Sequence, residues 1–171
     1  PATYAADVFS YILSQKSSRF QKDLIDSGLA FQTQVSYSTC KYVGPIQIFL
    51  VPNPAKVKEA YKKLEEHIKM WNTVDYITDE QLETAKNLLA IEQTRDREST
   101  SSYVHNITYW WASASIDYYT GYIENIQNVT KEDIRKYVEQ YILDKPMVTG
   151  LLVSPEMKKS MNITDAATFL K

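Results

Sequence analysis

Gly28-Leu29-Ala30-Phe31 is the stretch that decides the fold, because one kind of secondary structure ends there and another begins. Before it, apolar residues between Ala5 and Leu24 recur at helical spacing. Gly28 suits the end of that helix, since glycine accepts a positive φ at no steric cost. After it, apolar and polar residues alternate up to Tyr37, which is the period of a half-buried strand. The stretch therefore predicts a helix, a glycine turn and a strand in that order.

Working outward, we predict a first helix over Thr3–Ser27, with polar residues that allow a break near Ser14–Ser17. A hairpin follows, with strands at Phe31–Tyr37 and Ile46–Val51. The connection between them ends in Gly44-Pro45, a strong turn signal. Because the second strand is apolar on nearly both faces, we expect it to be a central strand covered by helices.

The rest of the chain predicts helices and one more strand. Asn53-Pro54 starts a helix, and Thr78-Asp79-Glu80-Gln81 is a capping box at the start of another. The later predictions are a polar break at Glu98–Ser102, an aromatic segment at Tyr103–Tyr122, a helix from Thr130, a last strand at Met147–Val153 and a tail at Ser154–Lys171 with a short helix near Thr164.

Size and composition favour one domain, or a fragment of one, over residues 1–171. The chain has 44% hydrophobic and 23% charged residues, which is typical of globular proteins. Its net charge of −2 and scattered basic residues argue against a nucleic-acid binder. No apolar run approaches the roughly 20 residues of a membrane span. Cys40 is the single cysteine, which excludes an intrachain disulfide, and we expect it to be a small, partly buried side chain.

Residues with catalytic or metal-binding potential are few. The only histidines are His67 and His105, and Glu65-Glu66-His67 is the one cluster worth testing as a metal site. A helical zinc motif of the form His-x-x-Glu-His would need histidine where Lys63 stands. We therefore interpret His67 as part of a solvated helix face. The prediction is that no residue of this chain is catalytic, binds a cofactor or ligates a metal.

The aromatic segment Tyr109-Trp110-Trp111 allows two interpretations. Exposed tryptophan and tyrosine side chains can bind sugars by stacking. However, Tyr103, Ile107, Trp110/Trp111, Ala114 and Tyr118 recur at helical spacing, which favours packing in a core or between domains. The sequence leaves open whether the Trp110/Trp111 cluster lies in a core or at an interface.

Six phrases along the chain resemble, in order, the insulinase/pitrilysin family of zinc metallopeptidases, which includes the mitochondrial processing peptidases. They are Ala6–Leu13, Ser17-Ser18-Arg19-Phe20, Gly28-Leu29-Ala30-Phe31, the helix from Pro54, Ile77–Lys86 and Ile126–Ile134. The resemblance covers residues 1–153, and residues 154–171 look like a C-terminal tail.

This resemblance implies an α+β fold in two layers, a mainly antiparallel sheet covered by helices. It implies that the chain is the second half of one such domain, most similar to the non-catalytic C-terminal domain. Zinc is then expected in a partner domain or subunit, with a peptide as the substrate of the parent protein. Because the chain starts at Pro1 without an initiator methionine, we expect it to be a piece of something longer.

The family grips its substrate with an arginine and a tyrosine seven residues apart around this glycine turn. The matching positions here hold Leu24 and Phe31, and neither side chain donates a hydrogen bond. The resemblance therefore implies a structural role, enclosing a substrate chamber, for a segment without catalytic activity. It also suggests a bacterial protein of the periplasm or cell envelope.

Two alternatives remain from the sequence. One is an interaction module unrelated to proteolysis, which would bind a glycan or a protein through Trp110 and Trp111. The other is a scaffold subunit, comparable to the core subunits of respiratory complexes.

Overall fold

The computed structural model describes residues 2–42 and 44–170. Within them the chain is mostly helical, with a two-stranded antiparallel sheet, which is consistent with the predicted α+β class. The strands are β1 (Ala30–Tyr37) and β2 (Ile46–Pro52). The helices are α1 (Ala2–Ser14), α2 (Arg19–Gln21), α3 (Val57–Met70), α4 (Asp79–Asp96), α5 (Thr100–Ser113), α6 (Ile116–Thr120), α7 (Tyr122–Gln127), α8 (Lys131–Tyr141), α9 (Pro155–Ser160) and α10 (Ala166–Leu170), with a π-helical turn at Lys22–Asp26 and a 3-10 turn at Pro54–Lys56.

The first predicted helix is broken near the polar residues, as the sequence allows. Ser18 ends the break, since its Oγ accepts a hydrogen bond from the Gln21 backbone N–H at 3.2 Å and donates to the Leu13 carbonyl at 3.1 Å. Gly28 follows the π-helical turn with φ of 71°, the left-handed conformation that glycine adopts without strain. The glycine turn is confirmed.

The hairpin pairs Val35 with Ile48 and Thr33 with Leu50, so these side chains share the face that α1 covers. The register shifts at Phe31, which lies in a bulge between Ala30 and Gln32. The interpretation of β2 as a fully covered central strand was wrong: none of its residues is buried, and Phe49 on the outward face is 52% exposed. No helix among the described residues covers that outward face, although the strand is apolar.

The predicted strand at 147–153 was also wrong. In the structure this segment is irregular, and both Val148 and Leu152 are 99% exposed. A groove of about 590 Å³ separates β2 from the first part of the segment. Strand propensity expresses how well a residue fits a half-buried pleated surface, and here the segment lies against no such surface.

The starts of two helices were predicted correctly from local sequence signals. The Thr78–Gln81 capping box is present, with both reciprocal hydrogen bonds at 3.1 Å. A second box stands at the start of α8, where Thr130 and Asp133 exchange hydrogen bonds of 3.2 and 2.9 Å. Helix α4 ends at Asp96 and α5 begins at Thr100, so a break is present, but the predicted range Glu98–Ser102 extends too far, because residues 100–102 belong to α5.

Helix α1 is the centre of the core, because it packs against β1, α4, α7 and α8. Its side chains Val8 and Phe9 have no exposed surface, and burial of an apolar side chain of this kind stabilises the fold by about 1.5–3 kcal/mol. Trp71, Ile126 and Ile134 complete the same cluster from α3, α7 and α8. The packing leaves one stripe of α1, which includes Asp7, turned towards a groove.

The remaining segments differ from expectation in detail. The tail holds two short helices, α9 and α10, where one was predicted. Cys40 is exposed, not partly buried, because it lies in the loop between the two strands. No helix among residues 2–42 and 44–170 has the length and apolar character required to cross a bilayer.

Candidate functional site

A groove of about 700 Å³ runs along the edge of β1 that faces away from β2. We call it the β1 groove. Because β1 pairs only with β2 among the described residues, its outer main-chain N–H and C=O groups border the groove. The lining combines hydroxyl, carboxylate and aromatic side chains: Asp7, Ser10, Tyr11, Ser14, Gln34, Val35, Ser36, Tyr37, Ser38, Thr39, Leu89, Glu92, Tyr109, Trp110 and Tyr122.

Asp7 is a partly buried carboxyl group in this groove. Burial raises the pKa of Asp7 to about 6, although the hydrogen bond from the Tyr122 hydroxyl, at 2.9 Å to Oδ2, acts in the opposite direction. Burial also raises the pKa of Tyr122, and the nearby Asp7 charge adds to this effect. Tyr122 is therefore a hydrogen-bond donor at any pH near neutral, and it holds Asp7 in place.

Trp110 forms part of one wall of the groove, and a stack of aromatic rings lies behind it. Trp110 stacks on Tyr118, with centroids 4.7 Å apart, and Tyr118 stacks on Tyr4 at 4.9 Å. The Tyr118 hydroxyl donates to Thr3 Oγ1 at 2.9 Å, which fixes the middle ring to α1. Trp110 is thus held rigidly at the groove, as in a preformed binding site.

Tyr109 connects α5 to the loop after β1, since its hydroxyl donates to the Thr39 carbonyl. This hydrogen bond joins the two sides of the β1 groove near the end of the strand. Trp111, two positions after Tyr109, does not line the groove and is 72% exposed. Helix α5 has no buried residue, so of the two kinds of packing that the sequence left open, packing in a core is not what the structure shows.

The two positions that the family resemblance singles out lie in different surroundings. Leu24 is fully buried in the core, whereas Phe31 is 66% exposed at the bulge of β1. The hydrogen-bonding capacity of the family pair is absent from both side chains. Neither residue lines the β1 groove.

His67 is buried, so our interpretation of it as part of a solvated helix face was wrong. It has no exposed surface, while Lys63 and Glu66 form an ion pair at 2.7 Å on the outer side of α3. The His67 Nδ1 atom lies 2.7 Å from the Tyr76 hydroxyl. Trp71 Nε1, which can only donate, lies 3.2 Å from the same hydroxyl.

This network favours one tautomer of His67. Because the Tyr76 hydroxyl accepts from Trp71, its own proton finds a buried acceptor only if it is donated to His67 Nδ1. The ring proton is then on Nε2, which lies 3.4 Å from Asp23 Oδ2 without the alignment of a hydrogen bond. Burial lowers the pKa of His67, so the ring is neutral at neutral pH. His67, Trp71 and Tyr76 thus form a buried hydrogen-bonded network.

We expect Tyr76→Phe to reduce the free energy of unfolding by about 1–3 kcal/mol, since two buried polar groups lose their partner. Urea denaturation at pH 7.5 measures the change. Tyr42→Phe is the control, because Tyr42 is 87% exposed, and its effect should stay within about 0.5 kcal/mol. Equal effects of the two substitutions would show that the network has no energetic role.

Among residues 2–42 and 44–170, no three His, Cys, Asp or Glu side chains converge as metal ligands. His105 is exposed on α5, away from the His67 network. The described part of the chain therefore offers a groove for a ligand but no assembled metal centre.

Sequence reasoning missed Asp7, Glu92 and Tyr122, which come together at the β1 groove. One signal was present: Asp7 interrupts the apolar run from Ala5 to Phe9, whose other members are all buried. A charged residue inside such a run points to a polar partner from another element. The partner itself, Tyr122, lies 115 positions away, and nothing local in the sequence connects the two.

Comparison with known proteins gives a match of fold. No protein-family model matches the sequence, and no curated protein matches it. Among solved structures, the chain is similar to the crystal structure of a protease from Helicobacter pylori, with a TM-score of 0.72 and 20% sequence identity. The similarity covers 84% of this chain and 35% of that chain. The chain thus has a fold found in part of a protease and spans about a third of that protease's length.

Proposed function

We propose that this chain is a non-catalytic part of a zinc metalloendopeptidase of the insulinase/pitrilysin type, and that it helps to enclose peptides beside a zinc-bearing domain. The observation that carries the proposal is the similarity of fold to a protease over 84% of this chain. The six family-like phrases, in the family's order, support the finer assignment. The chain's span of 35% of that protease supports a role as one part of a larger molecule.

The non-catalytic role is supported by the two positions around the glycine turn. Leu24 is fully buried in the core. A hydrogen-bonding residue at this position would need a hydrogen-bond partner inside the core. Phe31 is exposed, but its hydrocarbon ring has no hydrogen-bond donor. Whatever part this chain takes in catalysis, we propose that these residues do not hold the reacting peptide bond.

The contact with peptide is proposed for the outer edge of β1 and the β1 groove. An exposed strand edge binds extended peptides through main-chain hydrogen bonds, and adjacent pockets accept their side chains. Gln34, Ser36 and Ser38 border the groove along this edge. The outward face of the hairpin, with Phe49 half-exposed, would line the same chamber.

The contact with the zinc-bearing domain is proposed for α5. Val104 and Trp111 lie seven positions apart on this helix, hence on one face, and are 54% and 72% exposed. Exposed apolar side chains grouped on one helix face are typical of an interface.

The first test of this proposal is metal analysis of the purified chain combined with a peptide cleavage assay. We expect no stoichiometric zinc and no cleavage, because the zinc ligands belong to the partner domain. One tightly held zinc per chain would overturn the proposal.

The second test concerns the peptide surface and uses the anisotropy of a fluorescein-labelled alanine-rich peptide. Ser10→Tyr places a ring in the β1 groove, and we expect it to weaken binding at least tenfold. Ser160→Tyr makes the same change at the end of α9, away from the groove, and should leave binding unchanged. A scaffold subunit unrelated to proteolysis would bind the peptide in neither form.

A glycan-binding role remains the second candidate, because Trp111 is exposed at 72% on a helix without buried residues. Quenching of tryptophan fluorescence by oligosaccharides separates the candidates. Quenching that is lost in Trp111→Ala, in a chain that binds no peptide, would favour the glycan-binding role.

A further inference from the structure

The β1 groove has a one-sided charge. Asp7 lies inside it and Glu92 at its rim, and no lysine or arginine of the described residues lines it. Neither carboxylate forms an ion pair within residues 2–42 and 44–170.

The groups that surround Asp7 are acidic or neutral on every side. They are Tyr4 of the same helix, Tyr37 of β1, Glu92 of α4, Tyr109 of α5, Tyr118 of α6, Tyr122 of α7 and Tyr137 of α8. Its Oδ2 atom accepts the Tyr122 hydroxyl, whereas no described residue donates to Oδ1. A half-buried carboxylate without a cation destabilises the fold, so its presence points to a ligand.

The aromatic lining suits a cation of a particular shape. The groove is walled by Tyr11, Tyr37, Tyr109 and Trp110, and the ring stack behind Trp110 fixes its position. A planar guanidinium stacks on such rings and also donates two parallel hydrogen bonds to one carboxylate. An ammonium is a compact, strongly hydrated point charge and gains less from the same surface.

We propose that the β1 groove binds the arginine side chain of a peptide, with Asp7 and Glu92 as its carboxylate partners and Trp110 as its stacking surface. This inference rests on the proposed contact between peptide and β1, and it adds which side chain is selected. A volume of about 700 Å³ accommodates the side chain together with the adjacent peptide backbone along the strand edge.

The test compares two fluorescein-labelled pentapeptides that differ in one central residue, arginine or citrulline. Citrulline has the same shape and no charge. We expect the 171-residue chain to bind the arginine peptide at least tenfold more tightly at pH 7.5, since hydrogen bonds between a guanidinium and a carboxylate are stronger than those of a neutral urea group. A lysine peptide should bind with intermediate affinity.

Two substitutions locate the site. Asp7→Asn preserves an acceptor for Tyr122 and should remove most of the preference for arginine, and Glu92→Gln at the exposed rim should reduce it several-fold. Asp117→Asn removes the same charge from α6 outside the groove and should leave the preference intact. Far-ultraviolet circular dichroism and thermal unfolding confirm that each variant is folded.

The outcomes separate this inference from the proposed function. Equal binding of the arginine and citrulline peptides would overturn the arginine site and leave the peptide contact in place. Binding of neither peptide would overturn both. Arginine preference that survives Asp7→Asn and Glu92→Gln together would place the site elsewhere and contradict the assignment of the groove. A preference that fades as the pH falls through about 6 supports Asp7, because that carboxyl group then gains its proton.

Discussion

Trp71→Ala should lower the free energy of unfolding by about 3–5 kcal/mol, the range for removal of a large aromatic side chain from a core. Trp71 has no exposed surface. Its ring packs edge-on against Phe9 and Phe20, with centroids 5.2 and 5.7 Å away. Its Nε1–H is the donor to Tyr76 in the buried network. The substitution therefore leaves a cavity and also removes a hydrogen bond.

Trp111→Ala is the matched control, because it removes the same side chain from a site that is 72% exposed. We expect a change within about 0.5 kcal/mol. Urea denaturation followed by circular dichroism measures both variants, since that signal does not depend on tryptophan. Comparable losses in the two variants would mean that Trp111 is buried in the folded chain, contrary to the structure.

Asp7→Asn should raise the free energy of unfolding at pH 7.5 by about 2–3 kcal/mol, at about 1.4 kcal/mol for each unit by which the pKa is raised. Burial raises the pKa of Asp7 to about 6, so ionisation above that pH is less favourable in the folded chain than in the unfolded one. Asparagine carries no charge and still accepts the hydrogen bond from Tyr122. The variant therefore avoids the ionisation cost and keeps the contact.

The sign of this effect determines its pH dependence. The folded chain binds the Asp7 proton more tightly, so the stability that protonated Asp7 gives is complete below the unfolded pKa, near 4, and is lost as the pH rises to about 6. The difference between wild type and Asp7→Asn should therefore be small at pH 4 and grow to its full value above pH 6. Denaturation at several pH values measures it. Asp117→Asn should give a small difference throughout, and a pH-independent gain for Asp7→Asn would contradict the explanation.

The same substitution has opposite expected effects on stability and on binding. Asp7→Asn should make the chain more stable and should also remove the preference for arginine peptides. This combination is typical of a functional residue, whose environment is suited to a ligand and not to the isolated fold. A residue that served only the fold would not produce a gain in stability when its charge is removed.

The sequence predicted the parts of the fold that depend on local interactions. The helix ends at Ser18, Thr78 and Thr130 follow from hydrogen bonds over three residues, and the turn at Gly28 follows from its backbone conformation. The alternating pattern of β1 also placed the hairpin. Such signals involve only residues within a few positions of one another, so they can be recognised without the tertiary structure.

The incorrect predictions concern residues whose surroundings come from distant segments. His67 has charged neighbours along α3, yet it is buried because Phe20 and Tyr76 pack around it. The segment at 147–153 is largely aliphatic and was predicted as a strand, but a strand requires an edge to pair with, and a groove separates this segment from β2. Trp110 and Trp111 are adjacent in sequence, and only the position of α5 turns one towards the groove and the other towards solvent.

By itself, the sequence determined the first helix with its glycine turn and the hairpin that follows, and it placed side chains without hydrogen-bond donors at Leu24 and Phe31. The tertiary structure alone decided which side chains meet in the β1 groove. Asp7, Glu92 and Trp110 come from α1, α4 and α5, far apart along the chain. Helical periodicity reports which face of a helix is buried, but it carries no information about the partner on the other side. The candidate site is a product of packing between helices, and for that reason it became visible only in three dimensions.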